Sequence, residues 1–207
     1  MRVIVLASRK GGVGKSTLTS HLAVEAERAG AGPVAVIDTD EMQGLAQWWD
    51  ARKAETPTLV RLAGALRQTA DALAERGFKL LLVDTPPALT PAIAALVADA
   101  DLVLVPCQAS PDDLRAISST VELVTRAKRP MIFIINRTKP RAKLTGEAAI
   151  VLSQHGTVAP VMVADRTDYA GAKSDGRTAP ELNPDGPAAE EMAALWSYVA
   201  ARLEIAA

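Results

Sequence analysis

Short apolar runs alternate with stretches of helical periodicity along all 207 residues. The runs Arg2–Ala7, Pro33–Asp38, Lys79–Asp84, Leu102–Pro106, Met131–Asn136 and Val158–Val163 are expected to be strands. Most are apolar continuously rather than at every second position, as strands buried on both faces are. Thr58–Leu62 is a candidate for a further short strand. Between the runs, Lys15–Ala29 places Leu18, Leu22, Ala26 and Ala29 on one helical stripe, and Asp112–Arg126 does so with Leu114, Ile117, Val121 and Val124. The last helix, Ala188–Leu203, follows Pro187 and carries Met192, Leu195, Trp196, Val199 and Leu203. Glu190 and Glu191 stand near its N-terminus, where the helix dipole favours acids. Trp48 and Trp49 fall on another helix; one is expected in the core and the other partly buried. Repeated strand–helix alternation implies right-handed crossovers. The expected fold class is α/β, a mostly parallel twisted sheet with helices on both faces. One domain is expected over residues 1–207. Gly176–Pro187, with Pro180, Pro184 and Pro187, reads as a surface loop.

Between the first run and the first helix lies Arg9 to Thr17, R-K-G-G-V-G-K-S-T. Gly11, Gly12 and Gly14 allow a tight turn that brings backbone N–H groups up to an anion. Lys15 can reach β- and γ-phosphates, and the Ser16 hydroxyl can sit on Mg²⁺. The usual phosphate-loop pattern is G-x-x-x-x-G-K-[ST]. Here Gly14-Lys15-Ser16 fits it, but Arg9 occupies the first glycine position and an extra lysine, Lys10, follows. A glycine-rich turn that binds nothing is disfavoured, because strand, loop and helix come in the required order.

Ligands of such sheets bind at the carboxyl ends of strands. Three acids are expected there: Asp38 and Asp40 in V-I-D-T-D, and Asp84 in L-L-L-V-D-T-P-P. An acid so placed can hold Mg²⁺ directly or through water. It can also be a helix cap or turn former.

The chain resembles the ParA/MinD family of deviant Walker-A ATPases along nearly its whole length, and K-G-G-V-G-K-S-T is the most specific element of the likeness. The resemblance implies ATP and Mg²⁺ as cofactors. Lys10, Gly11, Gly12, Val13, Gly14, Lys15, Ser16 and Thr17 would hold the nucleotide, and Ser16, Asp38 and Asp84 the metal, with Asp84 at the Walker-B position. Lys10 would reach across a homodimer to the partner's nucleotide, and Asp40 would orient the attacking water. Lys10, Lys15 and Asp40 would form the catalytic set. Asn136 would meet adenine, although asparagine after a strand is also an ordinary turn residue. Ser110 to Leu114 resembles a loop close to the dimer and nucleotide; Pro111-Asp112-Asp113 is equally a helix start. Relatives often continue the second motif as D-x-D-P-Q-G. Here it is Asp38-Thr39-Asp40-Glu41-Met42-Gln43-Gly44, with Glu41 for proline and Met42 inserted.

Net charge is −1, so any nucleic-acid surface must be a local patch. Arg137, Lys139, Arg141 and Lys143 cluster without an intervening acid; Arg126, Lys128 and Arg129 form a second group; Arg166, Lys173 and Arg177 a third. Each group is either a solvated surface or a phosphate-backbone contact. The family likeness favours non-specific DNA binding, assigned to Arg137, Lys139, Arg141, Lys143, Arg166 and Lys173. With the first strand starting at Arg2, sequence-specific operator binding is not expected. One cysteine, Cys107, excludes an internal disulfide and a C-x-x-C metal or cluster site. His21 and His155 lack companion ligands. No apolar run approaches the ~20 residues of a membrane span.

The expected function is a partition or positioning ATPase, cytoplasmic and nucleoid-associated. It would close into an ATP-bound dimer on DNA and be released when a ParB-like or other adaptor stimulates hydrolysis. The alternatives are a membrane-cycling regulator like MinD, for which the final helix lacks a basic polar face, and a metabolic phosphate-loop enzyme, for which no added substrate segment is seen. The cysteine count excludes an iron–sulfur carrier.

Overall fold

β1 (Arg2–Leu6) is apolar after its first residue because both of its faces are covered: Val3 to Leu6 are fully buried. In the computed structural model, which describes residues 1–139 and 143–205, it stands at the centre of a seven-stranded sheet. The other strands are β2 (Val34–Asp38), β3 (Thr58–Leu59), β4 (Leu80–Asp84), β5 (Leu102–Cys107), β6 (Met131–Ile135) and β7 (Thr157–Val158). Their order is β3-β2-β4-β1-β5-β6-β7, and every pairing is parallel.

Parallel neighbours need crossovers, which helices supply. These are α1 (Lys15–Arg28), α2 (Gly44–Asp50), α3 (Leu66–Glu75), α4 (Pro91–Asp99), α5 (Pro111–Arg126) and α6 (Lys143–Ser153); α7 (Thr167–Gly171), α8 (Ala179–Leu182) and α9 (Pro187–Arg202) follow the last strand. Alternate strand residues feed two cores. Ile4, Leu6 and Leu82 pack with Leu22 of α1 and Met192 and Trp196 of α9. Val5, Val83 and Val105 pack with Leu73 of α3, Val97 of α4 and Val124 of α5. Each such side chain contributes roughly 1.5–3 kcal/mol by leaving water. Trp48 is buried and Trp49 half-buried, as expected.

Local chemistry sets the helix ends. The Ser110 hydroxyl accepts the Asp113 N–H at 3.1 Å, Pro111 opens α5, two acids sit in its first turn and Arg126 in its last.

Two expectations are corrected. The strand expected over Val158–Val163 is regular only at Thr157–Val158. Ala159 N–H still reaches Phe133 O at 2.9 Å, but Ile135 O is next met by Val163 N–H at 3.0 Å in place of Val161, so the ladder is interrupted over residues 160–162. Gly176–Pro187 is no loose surface loop. Thr178 is fully buried and closes a capping box with Glu181, and Arg52 of the turn after α2 grips both Glu181 oxygens at 2.9 and 2.7 Å. Pro180, read as a loop marker, is the start of α8.

Arg52 also donates to Gly176 O at 2.8 Å, and the two backbones touch. Gly176 has φ +74°, and a Cβ there would stand 2.2 Å from Arg52 N. Gly176→Ala is therefore expected to cost roughly 3 kcal/mol, through strain at positive φ and displacement of the Arg52 backbone. Urea unfolding checks this; a midpoint equal to the parent's would contradict it.

Candidate phosphate-binding site

Strand register brings the acids together. Asp84 pairs with Leu6 on one side and Asp38 on the other, so both carboxylates lie level with the end of β1, where the loop begins. β1 is also where the strand order reverses, the crevice in which open α/β sheets bind ligands.

The loop turns through Gly12 (φ +74°) and Gly14 (φ +96°) into the first turn of α1. α1 has no acid in that turn and no side-chain cap, so its leading N–H groups are left for an anion. Lys15 folds back into the loop: Nζ donates to Ser8 O and Lys10 O, both at 3.3 Å, and the residue is 6% exposed. Burial lowers its ammonium below the ordinary lysine value, and the charges of Asp84 and Asp40 work against that shift. A cavity of about 380 Å³ follows the loop, lined by Gly11, Gly12, Gly14, Lys15, Ser16 and Thr17, with Asp40, Met42 and Pro87 opposite.

The three acids differ in setting. Asp84 is fully buried. Asp38 is the cap of α2: Oδ2 accepts Leu45 and Ala46 N–H at 3.0 and 2.9 Å, and Oδ1 accepts Asp40 N–H at 2.9 Å. Of the two readings of a strand-end acid, these hydrogen bonds are those of the cap and turn former. Asp40 lines the cavity and accepts Met42 N–H at 3.0 Å.

Lys10 behaves unlike Lys15. It turns outward, 37% exposed, and Nζ meets Asp113 Oδ2 at 2.5 Å. Asp113 is 2% exposed at the start of α5, and the Ser110 hydroxyl donates to the same oxygen.

Asn136 is used inside the protein. Nδ2 donates to Val13 O at 2.7 Å and Oδ1 accepts Arg137 N–H at 2.9 Å. A Cβ on Gly14 would stand 2.2 Å from Nδ2, so glycine there admits the asparagine. The amide keeps one N–H, and Asn136 lines a second cavity of about 300 Å³ beside the loop. Its walls include Thr17, Leu18 and His21 of α1, Val163, Tyr169 of α7 and Met192 of α9. Of these the sequence reading singled out only Thr17 as ligand-binding. Residues after the seventh strand were foreseeable at this edge; Tyr169 and Met192 arrive by packing that no local pattern announces.

His21 is fully buried and satisfied. Nε2 accepts Ala179 N–H at 3.0 Å, which places the proton on Nδ1, 2.8 Å from Thr17 O. Cys107 is buried, and its thiol is pushed up to about 12, first by burial and then by Asp113, which fits a structural residue.

Two of the six residues assigned to the basic patch are paired with acids. Arg137 pairs with Asp165 at 3.1 Å, and Arg166 with Glu191 at 2.7 Å. Both line the cavity beside the loop. The acids come from distant positions, which is why the sequence cluster looked uncompensated. Lys139 is exposed. Arg141 and the side chains of Lys143 and Lys173 lie outside the described residues.

Mg²⁺ commonly takes one or two carboxylates, keeps several waters and shares substrate phosphates. The Ser16 hydroxyl and the level carboxylates of Asp38 and Asp84 are hard oxygen donors at one edge and fit that demand, although no cluster of three metal-binding side chains exists among the described residues.

Comparison with known proteins gives one consistent result. The profile of the CobQ/CobB/MinD/ParA nucleotide binding domain matches residues 4–178. Maintenance of carboxysome distribution protein A of Halothiobacillus neapolitanus is 27% identical over 198 residues, covering 91% of each chain. The chromosome-partitioning ATPase Soj of Thermus thermophilus is 29% identical, over 99% of this chain and 97% of that one. The structure of the MinD cell division protein of Aquifex aeolicus superposes with a TM-score of 0.80 at 18% identity, covering 97% of this chain and 98% of that one.

Proposed function

Because the chain belongs to the CobQ/CobB/MinD/ParA nucleotide-binding family, we propose that it is an ATP-driven positioning ATPase working as a two-subunit sandwich. Residues 1–207 act as one ATPase domain. The observation that carries the reading is the contrast between its two loop lysines. Lys15 folds into its own phosphate site, while Lys10 points out of it, half-exposed and held by Asp113. A single nucleotide leaves Lys10 without a task. Two loops face to face give it the partner's phosphates.

Gly11 to Thr17 bind the phosphates, and Lys15 supplies the cation they meet. Ser16, Asp84 and Asp38 hold Mg²⁺, which when bound neutralises charge on the β- and γ-phosphates. Asp38 also fixes the start of α2, so the segment carrying Asp40 is braced from the metal edge. Asp40 aligns the attacking water. Asn136 braces the loop through Val13 and offers its remaining N–H to adenine in the neighbouring cavity.

Two similar proteins are named for carboxysome distribution and chromosome partitioning. A cargo of either kind suits this chain, with non-specific DNA as the track, a ParB-like or other adaptor as the stimulator of hydrolysis, and a cytoplasmic, nucleoid-associated location. With Arg137, Arg166 and Arg126 paired, the DNA contact falls to Lys139 and to Lys128 and Arg129 after α5. Membrane cycling is not supported by α9, whose Met192, Leu195, Trp196 and Val199 are buried in the core. Among the described residues no helix is long and apolar enough to cross a membrane.

Asp40→Ala tests the scheme. ATP binding and ATP-dependent dimerisation are expected to survive while hydrolysis falls about 100-fold or more, the usual share of one proton-handling group. Size exclusion with ATP beside a phosphate-release assay reads both. A monomer with normal turnover would reject the role.

A further inference from the structure

Two exposed charges at the sheet edge lack an opposite charge in their own subunit. Arg9 stands where the usual phosphate-loop pattern has glycine, and Glu41 where relatives often have proline. Both are exposed, and neither makes an ion pair among the described residues. Lys10, Arg137 and Arg166, at the same edge, each have an acid of their own. We propose that the two charges meet across the dimer, the Arg9 guanidinium of each subunit against Glu41 of the partner subunit. This contact rests on the sandwich reading and gives the sandwich a polar rim.

Their placement supports it. The phosphate cavity lies between them: Gly11 to Thr17, just past Arg9, supply one wall, and Asp40 and Met42, on either side of Glu41, stand on the other. Neither Arg9 nor Glu41 lines the cavity, so the subunit's own nucleotide does not call for them. Arg9 lies along α5, where its backbone N–H donates to Thr120 Oγ1 and its guanidinium to Ser119 Oγ, both at 3.3 Å. One neutral hydroxyl leaves most of the five guanidinium N–H donors for a carboxylate. Glu41 sits in a braced turn. Asp40 Oδ1 accepts Met42 N–H at 3.0 Å, Asp40 O accepts Gln43 N–H at 2.9 Å, and Met42 O accepts the Gln47 amide at 3.1 Å. When Lys10 reaches the partner's phosphates, its neighbour Arg9 comes to the far wall of the partner's cavity, which is the turn carrying Glu41. A two-fold axis makes the contact twice, because a cation on one side of the cavity and an acid on the other are self-complementary. Exposed ion pairs add little affinity, but like charges in their place oppose docking, so the pair sets which faces meet and in what register.

The test exchanges the charges in the full chain. Wild type, Arg9→Glu, Glu41→Arg and an equimolar mixture of the two variants are sedimented with a non-hydrolysed ATP analogue. Each variant alone sets like charges together at both contacts and is expected to dimerise about 10-fold or more weakly than wild type. In the mixture every heterodimer regains opposite charges at both contacts, and dimerisation is expected to return to within about twofold of wild type. Affinity for a fluorescent ATP analogue is expected to stay at the wild-type level in both variants, since neither position lines the phosphate cavity. Variants that dimerise like wild type, or a mixture as weak as its components, overturn the contact. Rescue by both substitutions in one chain but not by the mixture also overturns it, because the pair then lies within a subunit. A wild type that binds the analogue and stays monomeric removes the sandwich and this contact with it; wild-type dimers without rescue in the mixture remove the contact alone.

Discussion

Lys15→Ala is expected to bind a fluorescent ATP analogue at least about 100-fold more weakly than wild type, the scale of losing a desolvated charge pair. The size follows from the surroundings of the ammonium. It is 6% exposed and packed into the loop, so little water competes with a phosphate for it. Burial disfavours its charge, and Asp84 and Asp40 offset that in part. An arriving triphosphate supplies the charge the ammonium lacks. Without Lys15 only Mg²⁺ would stand between the carboxylates and the phosphates. Lys15→Met, which keeps more of the side-chain volume, should lose affinity equally, and urea unfolding of both variants separates lost binding from lost fold. Unchanged affinity in a folded variant would remove the loop from the site.

Lys10→Ala is expected to keep monomer ATP binding largely intact while ATP-dependent dimerisation, stimulated hydrolysis and DNA retention disappear together. Lys10 is not among the residues lining the phosphate cavity, so its own nucleotide loses little. The partner's phosphates lose a compact charge on a flexible stem, aimed at negative charge that grows in the transition state. In the single subunit that charge is engaged by Asp113. The pair must open before the sandwich closes, so Asp113 and the partner's nucleotide compete for one ammonium. Asp113→Asn should therefore dimerise at lower ATP concentration. It also serves as background for the Lys10 variant, since Lys10→Ala alone strands a buried carboxylate. Light scattering with a non-hydrolysed ATP analogue reads all three proteins. Normal dimers and turnover in Lys10→Ala would end the sandwich scheme for this chain.

Much of this site was legible because it is built at strand ends. A fully buried strand is a continuous apolar run, so the first polar residue after it marks the sheet edge; Asp38, Asp84 and the loop could be placed there from β2, β4 and β1 alone. The same rule found Asn136 but not its task. Its hydrogen bonds go to Val13 and Arg137 N–H, and a side-chain amide carries no sign in sequence of which partner it will take. Charge compensation was hidden for the same reason. Asp165 and Glu191 neutralise Arg137 and Arg166 across tertiary contacts. Gly176–Pro187 misled because proline and glycine signal a turn without saying whether the turn is packed; here Gly176 marks the close approach of another backbone.

The position of β1 bears on how the chain is made. Its neighbours are β4 and β5, so Arg2 pairs with Leu80 and Ile4 with Leu102. A ribosome releases the phosphate loop early and the strands that frame it late. At roughly 5–20 residues per second, several seconds pass before β4 emerges. During that interval the pairing open to the emerged strands is the short one between β2 and β3. Val3 to Leu6, fully buried in the finished sheet, wait without the neighbours that cover them. The glycine loop is thus translated before the strands that frame it, and a nascent chain stalled before Leu80 carries the whole loop with no sheet edge to mount it on.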